Sequence, residues 1–178
     1  MEERDEQPFG VGGNALTFQV GVIGSDGSIS EKVEQMAEEL GRLIARRGMI
    51  LICGGRSGVM EAAARGAKAE GGTTVGIIPG ADKREANPFC DIVIATGIGR
   101  ARNLVVVNSS DAVVAVSGGS GTLSEIALAL SENKMVIVLK GSGGVSDLVA
   151  GKTIGNCRVL SAETPLEAIE LVTEHCAR

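Results

Sequence analysis

A fully apolar run, Ala112–Val116, meets the segment Ser117-Gly118-Gly119-Ser120-Gly121-Thr122-Leu123-Ser124-Glu125, which leads into Ile126-Ala127-Leu128-Ala129-Leu130. The first part reads as a strand and the last as a helix, with a turn of glycines between them. A strand that is apolar at every position has no solvent face, so it must be covered on both sides. The glycines let the backbone approach a ligand, and the first helical turn offers N–H groups that have no intrahelical partner. A helix start of this kind is suited to an anion. Thr122 adds a hydroxyl, and Glu125 places a carboxylate close to whatever the loop holds. Like charges repel, so Glu125 does not hold the anion and points instead to chemistry on another part of the ligand. Its structural alternative is that acidic residues favour the first turn of a helix for dipole reasons.

The strand–turn–helix pattern recurs along the chain. Residues 17–23 read as a strand that ends in Gly24-Ser25-Asp26-Gly27, and residues 49–53 as one that breaks at Gly54-Gly55-Arg56-Ser57-Gly58. Residues 73–78 form a third, stopped by Pro79-Gly80, and shorter strands are predicted at 91–95, 135–139 and 158–160. Between the first two lies a helix started by Ser28 and Glu31 at capping-box spacing and ended at Gly48. Val33, Met36, Ala37, Leu40, Leu43 and Ile44 share one of its faces. An alanine-rich helix runs to Glu70 and stops at Gly71-Gly72. Residues 97–110 read as a helix with Ala101, Leu104, Val105 and Asn108 on one face, although Val105-Val106-Val107 is β-branched. The helix after the glycine turn extends to about residue 133. Thr164, Pro165 and Glu167 start a terminal helix with Ile169, Val172 and Cys176 as its stripe. Residues 81–90 are a polar connection, and 141–155 a long loop with room for one helical turn.

Short apolar strands alternating with amphipathic helices specify an α/β fold: a doubly wound, mostly parallel sheet with helices on both faces. Ligands of such sheets bind beyond the carboxyl ends of the strands. Three glycine turns, at Gly24, at Gly54-Gly55 and at Gly118-Gly119, are expected to converge there. The architecture is Rossmann-like without the dinucleotide fingerprint. Gly21-Val22-Ile23-Gly24-Ser25-Asp26-Gly27 has the wrong spacing, and the second strand ends in Cys53-Gly54 rather than an acidic residue for a ribose. Gly151-Lys152-Thr153 mimics the end of a phosphate-binding P-loop, but Ser146 stands where that motif needs its first glycine.

The 178 residues suit a mobile tail over 1–15 and a single domain over 16–178. A net charge of −5 with no basic stripe argues against a nucleic-acid partner. With no Trp or Tyr and three Phe, a base-binding pocket would be mostly aliphatic. Cys53, Cys90, Cys157 and Cys176 lack CxxC spacing and His175 is the sole histidine, so no metal site is expected. Those cysteines read as free thiols of a reducing compartment, and His175 as a helix-end charge. The opening residues do not resemble a secretory signal, and no apolar run approaches the ~18 residues that span a bilayer, so a cytoplasmic protein without membrane partners is expected.

The stretch from Ser117 to Glu125 resembles the PGGxGTxxE signature of the Lonely Guy (LOG) proteins, which are phosphoribohydrolases. Gly97-Ile98-Gly99-Arg100-Ala101-Arg102-Asn103 resembles that family's second motif, with Arg102 and Glu125 at the family's separation. Gly54-Gly55-Arg56-Ser57-Gly58-Val59-Met60 and Val75-Gly76-Ile77-Ile78-Pro79-Gly80 match earlier segments, so the likeness covers about residues 18–140. Ser117 replaces the signature proline, Asn103 a lysine after the arginine, and Glu61 a glycine. These departures make the chain look closer to a sister branch that includes molybdenum-cofactor carrier-like proteins.

The resemblance implies Glu125 and Arg102 as the catalytic pair. It also implies Gly118, Gly119, Ser120, Gly121 and Thr122 as the phosphate cradle. Further contacts would come from Gly24, Ser25, Gly54, Gly55, Arg56, Met60 and Asn103. It implies a homodimer or higher homo-oligomer that requires no cofactor and takes a nucleotide or pterin phosphate as ligand. Two functions follow: hydrolysis of the N-glycosidic bond of a nucleoside 5′-monophosphate to base and ribose 5-phosphate, or carriage of molybdenum cofactor or a similar ligand without turnover. A bare structural relic of the fold is the third alternative.

Overall fold

The computed structural model describes residues 16–176, so the tail expected over 1–15 lies outside the described residues. The strands are β1 (Gln19–Gly24), β2 (Ile50–Cys53), β3 (Thr74–Ile78), β4 (Ile92–Ala95), β5 (Ala112–Val116), β6 (Met135–Leu139), β7 (Thr153–Ile154), β8 (Cys157–Arg158) and β9 (Leu160–Ala162). The helices are α1 (Glu31–Arg46), α2 (Val59–Ala69), α3 (Arg102–Asn108), α4 (Ser120–Ser131), α5 (Gly144–Val149) and α6 (Pro165–Cys176). Seven strands form one parallel sheet in the order β4-β3-β2-β1-β5-β6-β9, and β7 and β8 make a small antiparallel pair. This is the expected α/β Rossmann-like architecture.

Two-residue alternation along the strands divides the core in two. Val20, Val22, Leu51, Cys53, Val114, Val116, Ile137 and Leu139 point to one face, which α1, α2 and α6 cover. Ile23, Ile52, Ile77, Val113, Ala115, Val136 and Val138 point to the other, under α3 and α4. The centre of the sheet is closed from both sides: every residue of β5 is buried. On α4, Ile126, Ala129 and Leu130 are buried against the sheet, which accounts for its apolar character.

Several local expectations shift. The N-cap of α1 is Ser30, whose hydroxyl accepts the Val33 N–H, and not Ser28. Ile29 packs against the core, and the helix begins only after it. Residues 97–110 divide into a 3-10 turn at Gly99–Ala101 and the short α3. Its buried side chains are Arg102, Val106 and Val107 rather than Ala101, Leu104, Val105 and Asn108, because the sheet takes Val106 and Val107 and Arg102 lies one turn before them. The edge strand sits at 160–162, paired with 137–139, and residues 157–158 turn back on β7 instead. At α6, Thr164 accepts the Glu167 N–H, and the Glu167 carboxylate reaches back to the Glu163 N–H. Among the described residues no helix is long and apolar enough to cross a membrane.

Candidate functional site

The strand order runs outward from β1 in one direction and from β5 in the other, so β1 and β5 flank a topological switch point. Loops leaving the two strands diverge to opposite faces there and open a crevice. A cavity of about 500 Å³ lies at this point, within the range of small-molecule sites. Its wall is built from the ends of β1 and β2, the start of α2, the segment from Arg100 to Asn103, and the first turn of α4.

The glycine turn after β5 is held by hydroxyls. Ser117 has φ 57 and Gly118 has φ 104, which turns the chain sharply before α4. The Ser117 N–H donates to Ser142 Oγ at 2.7 Å, and the Ser142 hydroxyl donates to the Leu139 carbonyl. The Ser146 hydroxyl and N–H both donate to the Ser117 carbonyl. From the other side, Ser25 Oγ accepts the Gly118 N–H at 3.0 Å. A Cβ at Gly118 would stand 2.4 Å from Thr122 Oγ1, so the close approach of turn and helix requires glycine.

Gly119 is the N-cap of α4, and no side chain caps the helix. The first-turn backbone of Ser120, Gly121 and Thr122 therefore faces the cavity with the positive end of the helix dipole behind it. By contrast, Ser30 caps α1 with its own hydroxyl. The arrangement suits a phosphate or another compact anion.

Arg102 and Glu125 meet at the floor. Arg102 Nη1 lies 3.4 Å from Glu125 Oε1, and each side chain is 9% exposed. Gly54 allows this packing: a Cβ there would lie 2.4 Å from Arg102 Nη1. Burial pushes the Glu125 carboxyl up to about 7, against the opposing pull of the Arg102 guanidinium. Burial likewise lowers the Arg102 value. Arg102 Nε is buried without a hydrogen-bond partner among the described residues. A half-satisfied buried pair of this kind is costly to the fold and leaves spare donor capacity on Arg102.

Of the residues singled out in the sequence, Gly24, Ser25, Gly54, Arg56, Met60, Arg102, Asn103, Gly119, Ser120, Gly121, Thr122 and Glu125 line the cavity. Gly118 and Gly55 do not. The Gly118 N–H is taken by Ser25, and Gly55 supports the turn by donating to Cys53 Sγ and accepting from Asn87. Asn103 donates to Ser124 Oγ at 2.9 Å, which ties the start of α3 to α4. Arg56 pairs with Asp26 at 3.2 Å across the rim. Ile23, Asp26, Pro79 and Arg100 also line the cavity and were not singled out as site residues. Arg100 lies two residues before Arg102 in the same motif, which was the available signal.

Two outcomes follow from this geometry. Proline cannot adopt φ 57 and has no N–H for Ser142. Ser117→Pro is therefore expected to cost about 3 kcal/mol or more, or roughly 6–12 °C in Tm; an unchanged Tm would refute this account of the turn. The second concerns pH. A carboxyl whose folded value is raised stabilises the fold fully below its ordinary value of 4.5, and loses that contribution as pH rises through about 7. Thermal unfolding of wild type and Glu125→Gln across pH 5–8 should give curves that diverge with rising pH. The variant should gain on the order of 3 kcal/mol over wild type by pH 8.

Comparison with known proteins agrees with this architecture. The molybdenum cofactor binding protein of the phototrophic bacterium Rippkaea orientalis is 39% identical with a TM-score of 0.83, covering 90% of this chain and 98% of that one. The molybdenum cofactor carrier protein of Chlamydomonas reinhardtii is 38% identical with a TM-score of 0.79, covering 92% and 100%. A cytokinin riboside 5′-monophosphate phosphoribohydrolase of Mycobacterium tuberculosis is 38% identical over 95 residues, which are 52% of this chain and 51% of that protein. The chain thus matches about half the length of that enzyme. The model of the SLOG cluster4 family matches residues 17–169, and the chain belongs to that family.

Proposed function

We propose that the protein binds a small phosphorylated ligand, a nucleoside 5′-monophosphate or a pterin phosphate, with its phosphate on the first turn of α4. The observation that carries this reading is the uncapped helix start at the switch point, facing a cavity with a buried arginine and carboxyl on its floor. Backbone N–H groups of Gly119 to Thr122 and the Thr122 hydroxyl hold the phosphate. Binding energy from that remote group positions the rest of the ligand over Glu125.

With a nucleotide bound, the pair carries out hydrolysis of the N-glycosidic bond. Water adds to the anomeric carbon, the bond to the base nitrogen breaks, and the base leaves with a proton. Glu125, with a value near neutrality, is suited to take a proton from the water or to stabilise the oxocarbenium-like centre in its ionised form. Arg102 orients Glu125. The likeness to the phosphoribohydrolase supports this reading over the half of the chain that it covers.

A second reading, carriage of molybdenum cofactor without turnover, is favoured by a separate observation: the similar molybdenum-cofactor proteins align over nearly their whole lengths. We place either function in the cytoplasm, a reading that the four free cysteines support.

The experiment is incubation with a panel of nucleoside 5′-monophosphates, measuring ribose 5-phosphate, beside thermal unfolding with each nucleotide and with a pterin phosphate. Hydrolysis predicts release that Glu125→Gln lowers by roughly 10²–10⁴-fold while ligand stabilisation persists. Stabilisation without release establishes the carrier. The absence of both release and stabilisation would refute the binding proposal.

We also propose a homodimer or larger homo-oligomer formed through the side of the sheet that carries α3. In support, Ile92 and Ile94 stand 51% and 43% exposed on edge strand β4, and Leu104 and Leu123 are exposed on α3 and α4. The two isoleucines pair with Val75 and Ile77, so they continue the sheet face that α3 covers only in part. Light scattering should give a multiple of the 18.2 kDa chain mass, and Ile94→Lys should reduce it to one chain. A monomeric wild type would overturn this.

A further inference from the structure

Two of the four cysteines lie side by side behind the cavity, and the chemistry proposed above uses neither. Cys53 ends β2 and is fully buried. Its register partner on β3 is Gly76, so both residues direct their side-chain positions to the same face of the sheet. Gly76 has no side chain, and Cys90 fills the space. A Cβ built on Gly76 would stand 2.6 Å from Cys90 Sγ. The Cys90 sulfur thus lies over Gly76, the register neighbour of Cys53, and its thiol donates to Asn87 Oδ1 at 3.6 Å while Cys53 Sγ accepts the Gly55 N–H.

The segment that carries Cys90 is pinned in place. Asn87 donates its backbone N–H to the Gly55 carbonyl at 2.8 Å and its side-chain amide to the Arg56 carbonyl at 2.9 Å. After Cys90, the Asp91 N–H returns to Thr74. The thiol pair therefore joins β2 to the segment before β4 across a fixed separation.

The two cysteines differ in access. Cys53 has no exposed surface, whereas Cys90 is partly exposed. They also differ in acidity: its neighbour Cys90 and burial push the Cys53 thiol up, and Cys53 beside it holds Cys90 down. Access and thiolate character both mark Cys90 as the sulfur that meets an oxidant first, with Cys53 placed to resolve it.

We propose that Cys53 and Cys90 form a peroxide-sensitive site that closes to a reversible disulfide at the back of the cavity. The Cys90 thiolate attacks one peroxide oxygen and the O–O bond breaks. This leaves a sulfenic acid at Cys90 and releases hydroxide, which is protonated to water. The Cys53 sulfur then attacks the Cys90 sulfur, the S–O bond breaks, and the hydroxyl leaves as water with the Cys53 proton. Two thiols are oxidised to one disulfide, and one peroxide is reduced to two waters. A dithiol reductant restores the pair by exchange.

The test uses the full chain, reduced and then treated with hydrogen peroxide, blocked with N-ethylmaleimide in denaturant, and mapped by mass spectrometry before and after dithiothreitol. The expected result is a linked peptide pair carrying Cys53 and Cys90 that dithiothreitol releases, with Cys157 and Cys176 still alkylated. Cys90→Ser, at the partly exposed position, should abolish the link and leave Cys53 reduced under the same treatment. Over-oxidation of Cys90 with Cys53 still alkylated would overturn the proposal. So would a link through Cys157 or Cys176, or a four-thiol protein unchanged by peroxide.

Discussion

The reversal of strand order between β1 and β5 is the constraint from which the site follows. In a parallel sheet all strands deliver their carboxyl ends to one edge, and at the reversal the connections leave for opposite faces. The chain after β1 passes to α1 on one face, and the chain after β5 passes to α4 on the other. The crevice between them is lined by whatever residues end the two strands. Here those residues are small and hydroxylic. Ser25 at the end of β1 accepts from Gly118 and donates to Ser117 at the end of β5. One serine therefore ties the two sides together while leaving room above it for a ligand.

The same geometry makes Arg102 and Glu125 expensive. Both are ionisable groups that the fold buries. At 3.4 Å, with one guanidinium nitrogen unpartnered, their attraction does not offset desolvation, as the raised Glu125 value shows. A pair kept only for stability would be better replaced by packed apolar side chains. Its position on the floor of a cavity that faces an uncapped helix marks the pair as a functional-site candidate.

Much of this was legible in the sequence, and the reasons are local. Strands β5 and β6 have the bounds expected from their apolar runs, because Ser117 and Asn133-Lys134 interrupt those runs sharply. Asn133 takes φ 54 at the end of α4, a conformation that asparagine tolerates. The cavity residues on the glycine turns were legible because turn chemistry and strand ends coincide. What failed depended on tertiary contacts. The phase of α3 is set by which valines the sheet accepts, and β-branched residues in succession carry no period of their own. The start of α1 depends on Ile29 joining the core, so the local Ser28–Glu31 spacing lost to Ser30. The segment over 141–155 read as a long loop with room for one helical turn, and α5 supplies that turn, but its contacts with the glycine turn had no local signal. Ser142 and Ser146 are buried there only because the glycine turn offers them an N–H and a carbonyl from a distant part of the chain.

That last contact gives a physical reason for one departure from the LOG-like signature. Where the signature has proline, this chain has Ser117 in a left-handed conformation with its N–H committed to Ser142. Proline would forbid both the conformation and the bond. The substitution therefore belongs to a different way of bracing the turn. The brace comes from α5 and the residues just before it, and it reaches the cradle through two buried hydroxyls and the N–H of Val145, which donates to the Gly118 carbonyl. The cradle keeps its glycines and its helix start, while the support beneath them is rebuilt from serine. The uncapped helix start and the bracing of the turn are thus separable. The geometry of the glycine turn and helix start is retained although the signature residue that opens it has changed.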